Sequence, residues 1–326
     1  MEAGVDSGGR TVSVMVVESS GGRLILAPMP HNLDERRATA PATCDHVLCP
    51  AVTDHMSLPM PSSIHAETLL IEGPDALAFA HAQFSSNIQS LAVGAWQFGA
   101  WLSAQGRVRV LFHLARLDEQ RLLLLLRGGD AATLGESLRR YVFRSRLTLQ
   151  ASPWHVPVTA AALPLHEVRI DSDGIVFGCG THGLRLAADG EGDAAWRRLQ
   201  LQMGWPWLPA AALDALLPPA LSLHRLQAVA IDKGCYPGQE IVARLHWRGG
   251  HKRHLCTVQL LRNAAAGETL RREGNDVGVL LDVIGDNEDI AALAVLNDDV
   301  TTSPAENATL QLDDDLALCV RHRWEN

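Results

Sequence analysis

The order of apolar segments between residues 66 and 150 places the strongest constraint on the fold. Five short, mainly apolar segments are predicted strands: Thr68–Ile71, Trp96–Leu102, Val108–Ala115, Arg121–Leu126 and Arg146–Leu149. A helix is predicted after Gly73-Pro74-Asp75, with Pro74 at an early helical position, and a second helix from the cap Asp130 to Tyr141. The order β-α-β-β-β-α-β indicates an α+β module with a mainly antiparallel sheet.

The C-terminal part has a different pattern. Six short strands with turn residues between them are predicted: His254–Leu261, Glu268–Arg272, Val277–Val283, Ile290–Leu296, Thr309–Leu312 and Leu316–Arg321. This pattern favours a small β-barrel over residues 251–326. Between the two parts, prolines indicate a linker near residue 153, Asp171-Ser172-Asp173-Gly174 predicts a hairpin turn, and a helix is predicted after Asp193.

Residues 1–62 differ from both parts. They contain six prolines and few periodic apolar segments, so we expect a disordered or loosely ordered extension. Cys44, His46 and Cys49 lie in this stretch, but a structural zinc site needs four ligands and no second pair follows at a suitable spacing. We therefore expect no metal site there.

Composition narrows the classes of function. The chain has 326 residues, 28 Lys and Arg against 37 Asp and Glu, a formal charge of −9 and 47% hydrophobic residues. This balance excludes disorder throughout and argues against nucleic-acid binding by the whole surface. No apolar run predicts a signal peptide or a membrane span, so we expect a cytoplasmic protein with reduced thiols and no membrane contact.

The most informative segment is Lys233-Gly234-Cys235-Tyr236-Pro237-Gly238-Gln239-Glu240. Its two glycines and its proline predict a tight loop, which can hold Cys235 exposed. Lys233 would stabilise the thiolate, since a neighbouring cation lowers a thiol pKa. Tyr236, Gln239 and Glu240 add stacking and hydrogen-bonding groups. The alternative is a structural turn with an inert, buried cysteine.

A basic run follows this loop. From Lys233 to His254 five cationic side chains stand against Glu240, which gives a local charge of +4. The run favours an anionic ligand, and the alternative is a solvated strand–turn face.

The loop resembles the signature of the YgfZ-type folate-binding proteins, Lys-Gly-Cys-Tyr-x-Gly-Gln-Glu, which is followed by an Arg and a Gly-x-x-Lys-Arg turn. Arg244, Gly249-Gly250 and Lys252-Arg253 stand at the matching places. The resemblance implies an α+β fold shared with the glycine-cleavage T-protein: a folate-binding body over 63–250, with subdomains of about 63–152 and 153–250, and a C-terminal β-barrel.

The resemblance also implies a function. The chain is expected to be a folate-binding accessory protein for assembly or repair of iron–sulfur clusters in client enzymes, including tRNA-modifying enzymes. The implied ligand is tetrahydrofolate or a derivative. The implied partners are folate and iron–sulfur client proteins, with transient contact to a cluster, no stable metal and no direct nucleic-acid binding.

Residue roles follow from the same resemblance. Cys235 maps onto the functional centre of the family, with Lys233 beside it, and Tyr236, Gln239 and Glu240 shape the loop. Trp196 stands at a folate-contacting aromatic position, and Gln202 stands where the family has a Glu. Arg244 and Arg248 are expected to meet the glutamyl tail of folate or a partner.

Two alternatives remain open. The first is a folate-dependent aminomethyl- or one-carbon transferase. The T-protein uses an Asp in the strand after its first hairpin turn, whereas the matching place near Arg109 has no Asp or Glu between Val108 and Leu114. An accessory protein is therefore favoured over an aminomethyltransferase. The second alternative is an interaction scaffold that has lost folate binding.

Overall fold

A computed structural model of the chain describes residues 65–155, 160–186, 195–285, 289–301 and 309–325. The predicted extension over residues 1–62 lies outside the described residues, and so do its two cysteines and Asp193. The described residues all belong to one compact unit. Within the described part, no helix is both long and apolar enough to cross a membrane.

The first sheet is antiparallel and has five strands in the order β2-β3-β4-β1-β5. Its strands are β1 (His65–Glu72), β2 (Ala95–Leu102), β3 (Val108–Arg116), β4 (Arg121–Leu126) and β5 (Thr148–His155), and its helices are α1 (Ala76–Gln83) and α2 (Ala131–Arg139). The predicted element order is confirmed, and the Asp130 carboxylate caps α2 by accepting a hydrogen bond from the amide of Thr133 at 2.6 Å. Pro74 lies one residue before the N-cap Asp75 and outside α1.

Both faces of this sheet are buried. Val110, Phe112 and Leu114 pack into a core with α1 and α2, whereas Leu111 and Ala115 pack into a larger core on the opposite face. Apolar residues therefore stand on both faces of the strand, as expected for a sheet with no solvent-facing side.

A three-stranded antiparallel sheet follows, in the order β6-β7-β8. Its strands are β6 (Val168–Asp171), β7 (Gly174–Gly178) and β8 (Gly183–Leu186), and the helices after it are α3 (Ala195–Gln202) and α4 (Gln239–Arg248). The turn predicted at Asp171–Gly174 is confirmed. Arg244 and Arg248 of the basic run lie on a helix, α4, so the alternative of a strand–turn face is wrong for this part of the run.

The last sheet has six antiparallel strands in the order β10-β11-β12-β9-β14-β13. They are β9 (Arg253–Leu260), β10 (Thr269–Arg272), β11 (Asn275–Ile284), β12 (Ile290–Asn297), β13 (Thr309–Gln311) and β14 (Ala317–Arg323), with a short helix α5 (Asp298–Thr301) after β12. All six predicted strands are confirmed, but the sheet is a half-barrel. No strand pairing joins β10 to β13 among the described residues. The amide of Asp313 bonds the Arg271 carbonyl at 2.8 Å near those edges.

Candidate functional site

The signature loop lies against the turn between β2 and β3. Gly238 is the N-cap of α4 and has a left-handed φ of 78°. A Cβ at Gly238 would lie 2.5 Å from the Ser103 carbonyl oxygen and 2.8 Å from the Gly106 Cα. A Cβ at Gly106 would lie 2.9 Å from the Cβ of Ile241. Two glycines therefore allow two backbones to touch, and this contact fixes where the signature loop sits.

Lys233 fastens the other end of the loop. Its buried ammonium group donates to the backbone carbonyls of His81, Phe84 and Ser86, the last at 3.0 Å. These carbonyls lie at and just beyond the C-terminal end of α1, where a cation is favoured because the last carbonyls of a helix have no helical partner. Burial lowers the pKa of Lys233 to about 8. All three protons of the ammonium are thus used to hold the loop to α1.

Cys235 is exposed, unlike Cys179, Cys256 and Cys319, which are buried. Nothing lies within 4 Å of where a Cβ would stand on the neighbouring Gly234, so the loop is open to solvent beside the thiol. The prediction of an exposed signature cysteine agrees with this geometry. Its chemical role stays a prediction.

The remaining loop residues divide between interior and surface. Tyr236 is buried, its hydroxyl donates to the Ala230 carbonyl at 2.9 Å, and burial raises its pKa to about 12. Its ring lies 5.0 Å from the Lys233 ammonium, a cation–π distance. The Gln239 side-chain amide donates to the Lys233 carbonyl at 3.3 Å, and Glu240 is exposed in the first turn of α4. Tyr236 and Gln239 therefore stabilise the loop from inside.

The predicted basic residues of α4 face solvent. Arg244 and Arg248 are exposed and stand four residues apart, so they lie on the same side of the helix. Trp247, also on α4, is 76% exposed. This surface can receive an anionic group. It lies on α4, which begins four residues after Cys235.

The two predicted residues of α3 lie in different environments. Trp196 is 1% exposed and packs against Trp207, with ring centroids 5.6 Å apart, whereas Gln202 is exposed. Since an α-helix turns about 100° per residue, residues six positions apart occupy different faces. Neither residue shares a hydrogen bond with the signature loop among the bonds that the structure describes.

A buried polar cluster surrounds Arg127 and is not predicted from the sequence. This arginine has no exposed surface; it donates to Pro206 O and Trp205 O at 2.9 and 2.7 Å and to the Gln200 Oε1 at 2.7 Å. Burial lowers its pKa to about 9. The only available signal was a charged residue directly after the apolar run Leu122–Leu126.

The cluster contains donors without acceptors. Arg127 lies 3.2 Å from the His113 Nε2, so a neutral His113 accepts there and carries its proton on Nδ1. Among the described residues, the His113 Nδ1, the Gln200 Nε2 and the Trp196 Nε1 are buried without a hydrogen-bond partner. Such groups are rare in folded proteins, because a buried donor without an acceptor costs about 1–3 kcal/mol.

Arg109 has a carboxylate neighbour that the sequence argument did not place. The Asp214 carboxylate lies 3.6 Å from the Arg109 Nε, and both side chains are about half exposed. Asp214 comes from a turn about a hundred residues further along the chain. Separately, no group of three metal-binding side chains occurs among the described residues.

Comparison with known proteins finds relatives of the chain by sequence. No family model matches the chain. A tRNA-modifying protein YgfZ of Serratia proteamaculans is 24% identical over 243 residues, covering 64% of this chain and 73% of that protein. An uncharacterised protein of Haemophilus influenzae is 25% identical over 212 residues, covering 62% and 75%. A tRNA-modifying protein YgfZ of Yersinia pestis is 34% identical over 127 residues, which is 37% of each chain.

A solved structure supports the same fold. The glycine cleavage system aminomethyltransferase T of Bartonella henselae superposes with a TM-score of 0.62 at 16% identity, over 80% of this chain and 86% of that one. The chain is similar in sequence to proteins named YgfZ. It has the mixed α/β fold of the aminomethyltransferase, with a half-barrel as its last sheet.

Proposed function

We propose that this chain is a YgfZ-type, folate-binding accessory protein for assembly or repair of iron–sulfur clusters in client enzymes, including tRNA-modifying enzymes. The observation that carries the proposal is the exposed Cys235 thiol on a loop anchored at both ends. Lys233 anchors one end to α1, and Gly238 anchors the other to the β2–β3 turn. Because the loop is anchored at both ends, it can present the thiol to a partner in one conformation, which supports the proposal.

Among the described residues Cys235 is the one exposed thiol, and a single thiol suits transient contact with a cluster. Stable iron–sulfur clusters are commonly held by four cysteine thiolates. Cys179, Cys256 and Cys319 are buried away from solvent, and burial raises the pKa of Cys179 and Cys256 to about 12. The cluster is therefore cargo or substrate from the client enzyme, and Cys235 is the group that meets it.

Tetrahydrofolate or a derivative is the proposed ligand. A pterin offers an edge of hydrogen-bond acceptors and donors, and the buried donors of Trp196, Gln200 and His113 lack acceptors among the described residues, so the donor set fits such a ring. Gln202 stays the proposed replacement for the Glu of the family. Arg244 and Arg248 are exposed cations that suit the carboxylates of a glutamyl tail. Bound folate would supply one-carbon chemistry.

The test of the cluster role is complementation. Cells that lack their own YgfZ would express the full chain, Cys235→Ser or Cys319→Ser, and cluster-dependent tRNA modification would be measured by mass spectrometry of digested tRNA. We expect Cys235→Ser to fail while Cys319→Ser restores the modification. Full activity of Cys235→Ser at equal expression would refute the central role of this thiol.

The test of folate binding is a titration with tetrahydrofolate followed by tryptophan fluorescence, since the chain has eight tryptophans. We expect saturable quenching that weakens in Trp196→Phe, and weaker binding of polyglutamylated folate in Arg244→Gln/Arg248→Gln. No response of the intact chain would favour the scaffold without folate.

A transferase is the second candidate, because Asp214 places a carboxylate beside Arg109. This carboxylate is half exposed and pairs with the Arg109 guanidinium, so it is open to solvent and not held in a closed site. A turnover assay with aminomethyl or methyl donors and tetrahydrofolate discriminates the two functions. Turnover that is lost in Asp214→Asn would establish the transferase.

A further inference from the structure

The segment that follows α2 exposes two aromatic rings among arginines. Its sequence is Arg139-Arg140-Tyr141-Val142-Phe143-Arg144-Ser145-Arg146, here called the arginine–aromatic segment. Phe143 is 85% exposed and Tyr141 is 52% exposed. All four arginines are exposed as well. Large apolar side chains this exposed are informative when they cluster, because they indicate a surface used for binding.

The exposure is built into the fold. Val142 and Leu147 pack against the core beneath α1 and α2. The Val142 amide bonds the Arg139 carbonyl at 3.1 Å, and the Arg146 amide donates to the Asp75 carboxylate at 2.7 Å. The backbone is therefore anchored before and after Phe143, which keeps the two aromatic rings at the surface.

The segment is locally positive in an acidic chain. Two of its arginines form exposed ion pairs: Arg139 with Glu136 at 2.6 Å and Arg146 with Asp75 at 3.4 Å. Arg140 and Arg144 form no ion pair among the described residues. The Arg144 guanidinium lies 5.5 Å from the centroid of the Phe143 ring, a cation–π distance. Two cations are thus left to meet an anionic partner beside two exposed rings.

We propose that the arginine–aromatic segment binds single-stranded RNA. Unpaired bases stack on exposed aromatic rings while neighbouring arginines contact the phosphates, and this combination is typical of proteins that bind single strands. A duplex offers phosphates but keeps its bases stacked on each other. The net charge of −9 argued only against binding by the whole surface, whereas this patch is local. The inference goes beyond the proposed function, since cluster assembly requires no contact with RNA.

The test is fluorescence anisotropy with the full chain and two labelled probes, a 12-nucleotide single-stranded RNA and an RNA hairpin of the same composition. We expect tighter binding of the single strand and about a tenfold loss in Phe143→Ala, which corresponds to about 1.4 kcal/mol. In Arg140→Gln/Arg144→Gln, the slope of log K against log salt should flatten by about 1.4, at about 0.7 per phosphate contact.

Val93→Ala is the control, because Val93 is an exposed apolar side chain outside the arginine–aromatic segment. It should bind the single strand as the unmodified chain does, and circular dichroism should show all variants folded. The proposal is overturned if the unmodified chain does not bind the single strand at low salt, if it binds only acidic proteins, or if Phe143→Ala and Val93→Ala behave alike. None of these results bears on complementation by Cys235→Ser.

Discussion

Replacing Gly238 by alanine is the sharpest test of how the signature loop is held. The added Cβ would stand 2.5 Å from the Ser103 carbonyl oxygen and 2.8 Å from the Gly106 Cα, and both of these atoms belong to the backbone. A rotamer change cannot relieve either contact, so the loop must move away from the β2–β3 turn. Gly234→Ala, four residues earlier, has nothing within 4 Å of its Cβ and provides a control in the same loop.

The two substitutions are expected to change the free energy of unfolding differently. A left-handed φ costs a non-glycine residue about 1–2 kcal/mol, and crowding against fixed atoms costs about 1–3 kcal/mol more. Gly238→Ala should therefore lower the free energy of unfolding by roughly 2–5 kcal/mol. Gly234 has no positive φ, so Gly234→Ala should be neutral or stabilise by up to about 1 kcal/mol through the unfolded chain.

The assay is urea unfolding followed by far-UV circular dichroism, with free energies compared at a common m-value. Loss of less than about 1 kcal/mol in Gly238→Ala would refute the close contact. Equal losses in the two variants would show that the loop is sensitive to any side chain. In either case, Cys235 alkylation measured in the same variants would report whether the thiol keeps its exposure.

Three further predictions follow from buried groups. Lys233→Met should lower the free energy of unfolding by about 2–4 kcal/mol, because three backbone carbonyls lose their donor. Replacing the exposed Lys252 by Met should change it by less than about 0.5 kcal/mol. Similar urea midpoints for the two variants would contradict this role of Lys233. Burial holds the pKa of His113 well below 6.5, so below pH 6.5 the unfolded state binds a proton that the folded state does not. As the pH falls, His113 should lower the free energy of unfolding by up to about 1.4 kcal/mol per pH unit. His113→Gln should therefore make this free energy less dependent on pH between about pH 7.5 and 5.5. An unchanged dependence would show that His113 is protonated in the folded state. Iodoacetamide should label Cys235 well before Cys179 or Cys256, as read by peptide mass spectrometry, and equal labelling would contradict the burial of the latter two.

Local patterns predicted the elements well, because strands and caps depend on nearby residues. All five strands of the first sheet and all six of the last were found from apolar runs and turn residues, and the Asp130 cap was found from its position before an apolar helix. The start of β5 was predicted wrongly, because a side chain competes with the sheet for a backbone amide. Arg146 is not part of β5, because its amide bonds the Asp75 carboxylate instead of entering the sheet.

The site was predicted only where a motif marked it. The exposure of Cys235 agrees with the loop expected from Gly234, Pro237 and Gly238. The partners of Lys233 could not be predicted, because His81 lies 152 residues away and is reached only through the tertiary fold. Arg127 was missed for the same reason, since its acceptors Trp205 and Pro206 come from a distant, turn-rich segment.

The three carbonyl bonds of Lys233 also give the chain an order of assembly. The acceptors at the end of α1 are synthesised about 150 residues before the lysine, so a folded first sheet can receive the loop as soon as the loop is made. A chain whose first sheet has not formed lacks these acceptors, and its Cys235 is not yet fixed in place. The position of the thiol is therefore coupled to completion of the body around it.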